Sequence, residues 1–149
     1  MYARSSTNIQ PSAMEVLTFS LGREDYALNI QQVQEIRSFE PVTRVAQSPE
    51  YVKGLINLRG VIVPIVDLRV KLGIGEATFD GSTAVVITSA QNKTVGFVVD
   101  RVNDVQALTA DQLKPLPDID VRSSGHITGL GVTAAGTLIL VDAEMLLPQ

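Results

Sequence analysis

Apolar residues in this chain recur with a period of two, in runs too short for anything but strands, and turn-forming residues interrupt those runs about every eight to twelve positions. In EVLTFSL (15–21) Leu17, Phe19 and Leu21 alternate with Thr18 and Ser20. GRED (22–25) then makes a turn and YALNI (26–30) resumes the alternation, which predicts a hairpin. QQVQEIRSF (31–39) reads as a turn entering a strand in which Val33 and Glu35 share a face and Ile36 turns inward. Pro41 and Pro49 punctuate two loops, and EYVK (50–53) is long enough for one helical turn. Residues 1–14 are polar, with no apolar stretch after an isolated arginine, and predict a flexible leader, not a secretion signal.

GLINLRGVIVPIVDL (54–68) is almost wholly aliphatic yet carries Asn57 and Arg59 two positions apart. It reads as a hairpin bent at Arg59-Gly60, where Gly60 supplies the positive φ of a tight turn. Pro64 cannot donate to a ladder, so its strand is an edge there or carries a bulge. Asp67 is placed to cap the short amphipathic LRVKL (68–72), and TLILVD (137–142) running into AEMLL repeats the arrangement with Asp142. This weak echo suggests two similar halves within one domain, 15–147, and GIGEATFDGST (73–83) is the loosest stretch and the expected boundary. TAVVITSA, TVGFVVD and RVNDVQAL follow as a meander, KPLPDIDVRSSG (114–125) as a long loop, and ITGLGVT and TLILV as a last hairpin. The fold class is all-β with a few short helices, a sandwich or a pair of small barrels. Few aromatics (5%) and no Trp leave Val, Ile and Leu to form the core.

Reagents are scarce. There is no Cys and one His, His126, so thiolate and polyhistidine zinc sites are unavailable and no cofactor or metal is expected. A net charge of −4 with scattered Lys and Arg argues against nucleic acid, and the longest aliphatic run, VIVPIV, is far short of a bilayer-spanning helix. No G-x-S-x-G elbow accompanies His126, which reads as a surface or satisfied residue. The glycines at 129, 131 and 136 miss the dinucleotide fingerprint in spacing. Asp100 and Asp104 read as solvated loop residues. The chain is not expected to be an enzyme, and cytoplasm is the simplest address.

In an extended 54–59, Ile56 and Leu58 take the interior and Asn57 and Arg59 are displayed. Glu35 and Arg59 are then either plain surface charges, paired with each other, or the flanks of a docking groove. Three or four aliphatic anchors of about 1.5–3 kcal/mol each leave, after the costs of association, a contact of roughly micromolar strength, with charge selecting register. A small-ligand barrel stays open as an alternative, since the interior is aliphatic and several strands are rich in glycine.

The string VQEIRSFEPVTRVAQSPEYVKGLINLRGVIVPIVDLRVKL (33–72) resembles the signature region of the CheW family, and the similarity continues through TVGFVVDRVNDVQALTADQLKP and ITGLGV to VDAEMLL. Its specific elements are V-x-E-I followed by K-G-x-x-N-L-R-G-x-x-x-P-x-x-D-L. The resemblance implies two small five-stranded β-barrels side by side and a non-catalytic adaptor. That adaptor couples cytoplasmic tips of transmembrane chemoreceptors to the regulatory domain of the histidine kinase CheA, recruited to arrays at the inner face of the membrane. It implies receptor contacts at Val33, Glu35, Gly54, Asn57, Arg59 and Gly60, with Val102 and Val105 nearby, and leaves the kinase-binding residues unplaced. Ser38 stands where the family often has glycine, and no receiver-like segment follows Leu147, so the resemblance is to the free-standing coupler. A coupler for a non-flagellar chemosensory pathway is equally compatible with these motifs.

Overall fold

A computed structural model describes residues 12–75, 79–117 and 126–148. Most of the expected leader therefore lies outside the described residues, but its end does not: β1 (Ser12–Leu21) already starts at Ser12, which lies opposite Thr109. β1 and β2 (Glu24–Asn29) form the expected hairpin, with Leu17 opposite Leu28 and Phe19 opposite Tyr26. Asn29 caps a 3-10 turn, Ile30–Gln32, that leads into β3 (Val33–Ser38). β4 (Val52–Leu58) and β5 (Val61–Asp67) make the second hairpin, followed by α1 (Leu68–Lys71). β6 (Ala84–Ala90), β7 (Lys93–Val99) and β8 (Arg101–Thr109) form the meander. After a 3-10 turn at Ala110–Gln112 come the two-residue β9 (Leu113–Lys114), then β10 (Ile127–Thr133), β11 (Gly136–Val141) and a last 3-10 turn, Ala143–Leu146.

Asp67 accepts from the backbone N–H of Arg69 and Val70, and Asp142 from that of Glu144, so both aspartates close their strands by capping the turn that follows. EYVK forms no helical turn. Pro49 O accepts from Val52 N at 2.9 Å, and Val52 and Lys53 already belong to β4. Pro64 sits where β5 is paired on one side only, because the ladder to β7 begins at Ile65.

The strands form a five-stranded sheet in the order β3-β6-β7-β5-β4 and a six-stranded sheet in the order β9-β10-β11-β2-β1-β8. The all-β class with a few short helices is as expected, but the ladders stay open and one sheet has six strands, so the two halves are sheets and not closed five-stranded barrels. In each sheet, however, the chain continues from the strand at one edge to pair with a strand at the far side. Beyond β3, Thr43 exchanges hydrogen bonds of 2.9 and 2.8 Å with Leu55 of β4, and beyond β8, β9 pairs with β10. Each sheet joins two antiparallel hairpins by one parallel ladder, β5 with β7 and β2 with β11.

Corresponding rungs show how alike the halves are. Ile36, Val86, Phe97 and Val66 lie side by side in one sheet, and Val105, Leu17, Leu28 and Val141 in the other. Asp67 and Asp142 come next in the chain, and a register shift precedes Gly54 in one half and Gly129 in the other. The run β3, β4, β5, β6, β7 thus matches β8, β10, β11, β1, β2, a circular permutation in which the N-terminal hairpin completes a sheet made mostly of C-terminal strands. The segment 73–83, three of whose residues lie outside the described ones, therefore does not divide the halves: α1 and β6 on either side of it belong to the same half. Long-range parallel pairing decides this, and local composition does not record it.

Side chains from both sheets meet in a shared core that includes Phe19, Leu28, Phe97 and Leu146, all fully buried. Val63, Ile65, Val85, Ile87 and Val98 fill the inside of the five-stranded sheet, and Val16, Ala27, Leu108, Leu138 and Leu140 that of the other. Arg69 ties the sheets from outside: its Nη1 donates to Asp100 Oδ2 at 2.7 Å, and the same oxygen accepts from Gly22 N at 2.7 Å.

Candidate docking surface

The turn between β4 and β5 has Arg59 at φ 53° and Gly60 at φ 90°, the paired left-handed conformation that suits a two-residue hairpin. Asn57 secures it, its Oδ1 accepting from Gly60 N at 2.7 Å. Held this way, Arg59 keeps its side chain 67% exposed and donates to Glu35, a residue of β3 at the opposite edge of the sheet. Glu35 is only 28% exposed and also faces Arg37 Nη1 at 3.5 Å, while Arg37 Nη2 reaches Glu40 at 3.3 Å. The hydrogen bond from Arg59 holds the Glu35 carboxyl below its ordinary pKa, and Glu35 in turn raises that of Arg59. The charge in an otherwise aliphatic segment thus joins two sheet edges at the surface, with the carboxylate partly covered and the guanidinium facing water.

Glu35, Asn57, Arg59 and Gly60 are gathered at one corner. Val33 and Val102 are half-buried and pack against the core shared by the sheets, so each lines the seam from its own side, and Val105 is 53% exposed on β8. Gly54 is buried. A Cβ there would lie 2.3 Å from Thr43 O, so the position lets the chain close the sheet edge and presents no surface of its own. Ile36 corrects the sequence reading: it is 46% exposed, because a bulge between Val33 and Glu35 shifts the alternation by one residue.

Groups that suggested chemistry have other tasks. Asp100 is engaged by Arg69 and Gly22, while Asp104 is exposed as expected but lies on β8 and not in a loop, accepting from Thr18 Oγ1 at 2.7 Å. His126 is partly buried, and burial together with Lys71 lowers its pKa, which keeps the imidazole neutral at pH 7. Among the described residues no three potential metal ligands cluster, and no helix is long and apolar enough to cross a membrane. The space at the mouth of the five-stranded sheet's core, lined by Val42, Ile56, Ile65 and Val85, measures about 10 Å³, room for a water molecule and too little for a metabolite.

Fold and surface together define a module of two pseudo-repeated β-sheets with an ion pair exposed where the edges of one sheet meet. A family model described as CheW-like domain matches residues 15–149. The chain is 48% identical over 134 residues to chemotaxis protein CheW of Klebsiella aerogenes, covering 89% of this chain and 81% of that protein. It is 30% identical over 137 residues to chemotaxis protein CheW of Thermotoga maritima, covering 91% and 88%. The crystal structure of the scaffolding protein TtCheW from Thermoanaerobacter tengcongensis superposes with a TM-score of 0.81 at 28% identity, covering 86% of this chain and 88% of that one. The chain belongs to the CheW family and is a non-catalytic chemotaxis adaptor.

Proposed function

We propose that this adaptor joins the cytoplasmic tips of chemoreceptors to the regulatory domain of the kinase CheA, and that it is recruited to receptor arrays at the membrane's inner face. The receptor-docking face comprises Val33, Glu35, Asn57, Arg59, Gly60, Val102 and Val105, with Gly54 beneath it. The observation that carries this reading is the Glu35–Arg59 pair, which spans opposite edges of a sheet and leaves the guanidinium exposed over β3, the strand whose Val33 packs into the seam. A pair used only for stability gains little at such an exposed place, whereas a fixed cation beside aliphatic anchors selects the register of a partner.

Co-sedimentation with receptor-containing membranes and CheA, reading both recovery of this protein and kinase activation, tests the proposal. Arg59→Glu is expected to abolish recovery with receptor membranes. Arg59→Glu leaves the fold intact, and the exchange Glu35→Arg with Arg59→Glu, which restores the pair but not the exposed cation, is expected to remain folded without recovering receptor binding. Normal binding by both variants would remove the assignment of this face.

A further inference from the structure

VQEIRSF (33–39) on β3 and VNDVQAL (102–108) on β8 occupy equivalent places in the two halves. The registers fix the correspondence. Val33 lies opposite Thr88 and Ile36 opposite Val86; Val102 lies opposite Phe19 and Val105 opposite Leu17; a bulge separates the two positions in each strand. Val33 and Val102 both pack into the seam, Ile36 and Val105 are both exposed, and an acid precedes each exposed aliphatic residue, Glu35 in one half and Asp104 in the other.

The halves differ in what surrounds the acid. Glu35 has Arg37 and Arg59. In the second half Gln106 stands at the place of Arg37, and Ala134, in the turn between β10 and β11, stands at the place of Arg59. Asp104 accepts from Thr18 Oγ1 at 2.7 Å and from Gln106 Nε2 at 3.2 Å. Among the described residues no cation forms an ion pair with it. A hydroxyl and an amide satisfy its hydrogen bonding and leave its charge uncompensated.

We propose that Ile36 and Asp104 extend the docking face, and that Asp104 is an anionic half-site completed by an arginine or lysine of the bound receptor tip. This rests on the reading that the receptor docks here. One half of the face brings its own cation and the other takes one from the partner. Two nearly equivalent apolar edges would otherwise accept a partner in either sense, and the unmatched acid makes the two orientations unequal.

The full-length chain, titrated against receptor-containing membranes across a salt series, provides the test. Asp104→Asn keeps an acceptor for Thr18 and is expected to weaken binding about five- to tenfold at low salt and to flatten its salt dependence. Asp104→Lys is expected to weaken it about a hundredfold, and Asp104→Glu to retain the parental salt dependence. Ile36→Ala should cost about five- to tenfold with an unchanged salt slope. Unfolding midpoints recorded on the same samples identify any variant that fails to fold, and Asp104→Asn then decides for Asp104→Lys. Parental affinity and salt dependence in Asp104→Asn, or weaker binding with an unaltered salt slope, overturns the inference. If Arg59→Glu loses binding in that same experiment, the docking reading stands without it; if Arg59→Glu also binds normally, the reading itself is lost.

Discussion

Gly54→Ala should be among the most damaging methyl additions this chain can receive. The new Cβ would lie 2.3 Å from Thr43 O and 2.9 Å from Thr43 C, on a residue whose φ is 155°. That is about 1 Å inside the roughly 3.5 Å optimum for non-bonded heavy atoms, and the obstructing atoms are backbone, so no rotamer change relieves the overlap. The edge must open, breaking the two hydrogen bonds between Thr43 and Leu55. Two such bonds are worth about 1–3 kcal/mol together, and the positive φ adds about 1 kcal/mol of backbone strain, so the cost lies at about 2–4 kcal/mol. At about 3 °C per kcal/mol for a domain near this size, the midpoint should fall by roughly 6–12 °C in thermal unfolding followed by circular dichroism. Two companions give the scale. Gly129, the counterpart of Gly54, would place a Cβ 2.9 Å from Lys114 O and should lose less, while Gly60→Ala meets nothing within 4 Å and should cost about 1 kcal/mol for its left-handed backbone alone. If Gly54→Ala melts within 2–3 °C of the parent, or no lower than Gly60→Ala, the edge closure is not the constraint described above.

Asp100→Ala removes the acceptor shared by Arg69 and Gly22 and should cost about 2–3 kcal/mol, read as a lowered denaturant midpoint with an unchanged m-value. The folded-state pKa of Glu35 is depressed below 4.5, so its stabilising share is fully present above about pH 4.5 and is lost as pH falls through the lowered value. The stability gap between the parent and Glu35→Gln, followed in urea from pH 7 to pH 3, should therefore narrow on the acid side; a gap that widens would refute the sign. His126 also has a depressed pKa, so the unfolded chain takes up its proton first and stability contributed here is present above pH 6.5 and lost as pH falls through the folded value. His126→Gln should flatten that limb, and an NMR titration midpoint above 6.5 would contradict the burial argument.

Much of the fold follows from local signals alone. Alternation at 15–30 and 54–67 gave two hairpins, Arg59-Gly60 the turn between β4 and β5, and Asp67 and Asp142 the caps, because each of these depends on neighbours in the chain. What could not be read is which hairpin pairs with which: the parallel ladders of β2 with β11 and of β5 with β7 leave no local mark, and 73–83 looked like a boundary for that reason. Ile36 was misplaced because one bulge reverses the faces of everything beyond it. Glu35 and Arg59 were legible as candidates, yet their contact depends on bringing opposite edges of a sheet together. Ile36 reads as an inward residue and Asp104 as a solvated one, although a signal for a shared role exists in the seven-residue similarity of VQEIRSF and VNDVQAL, which is visible once the strands are known to be equivalent.

The permuted arrangement of the halves also orders events during synthesis. Strands β3 to β7 come from one uninterrupted stretch, 33–99, so that sheet can assemble before β8 is made. The first hairpin emerges earlier than all of them yet must wait, with one side of β2 unpaired, until β11 leaves the ribosome. A nascent chain of this kind is therefore most exposed to wrong pairing at its oldest strands, and a polypeptide ending ahead of β11 would keep that unsatisfied edge for good.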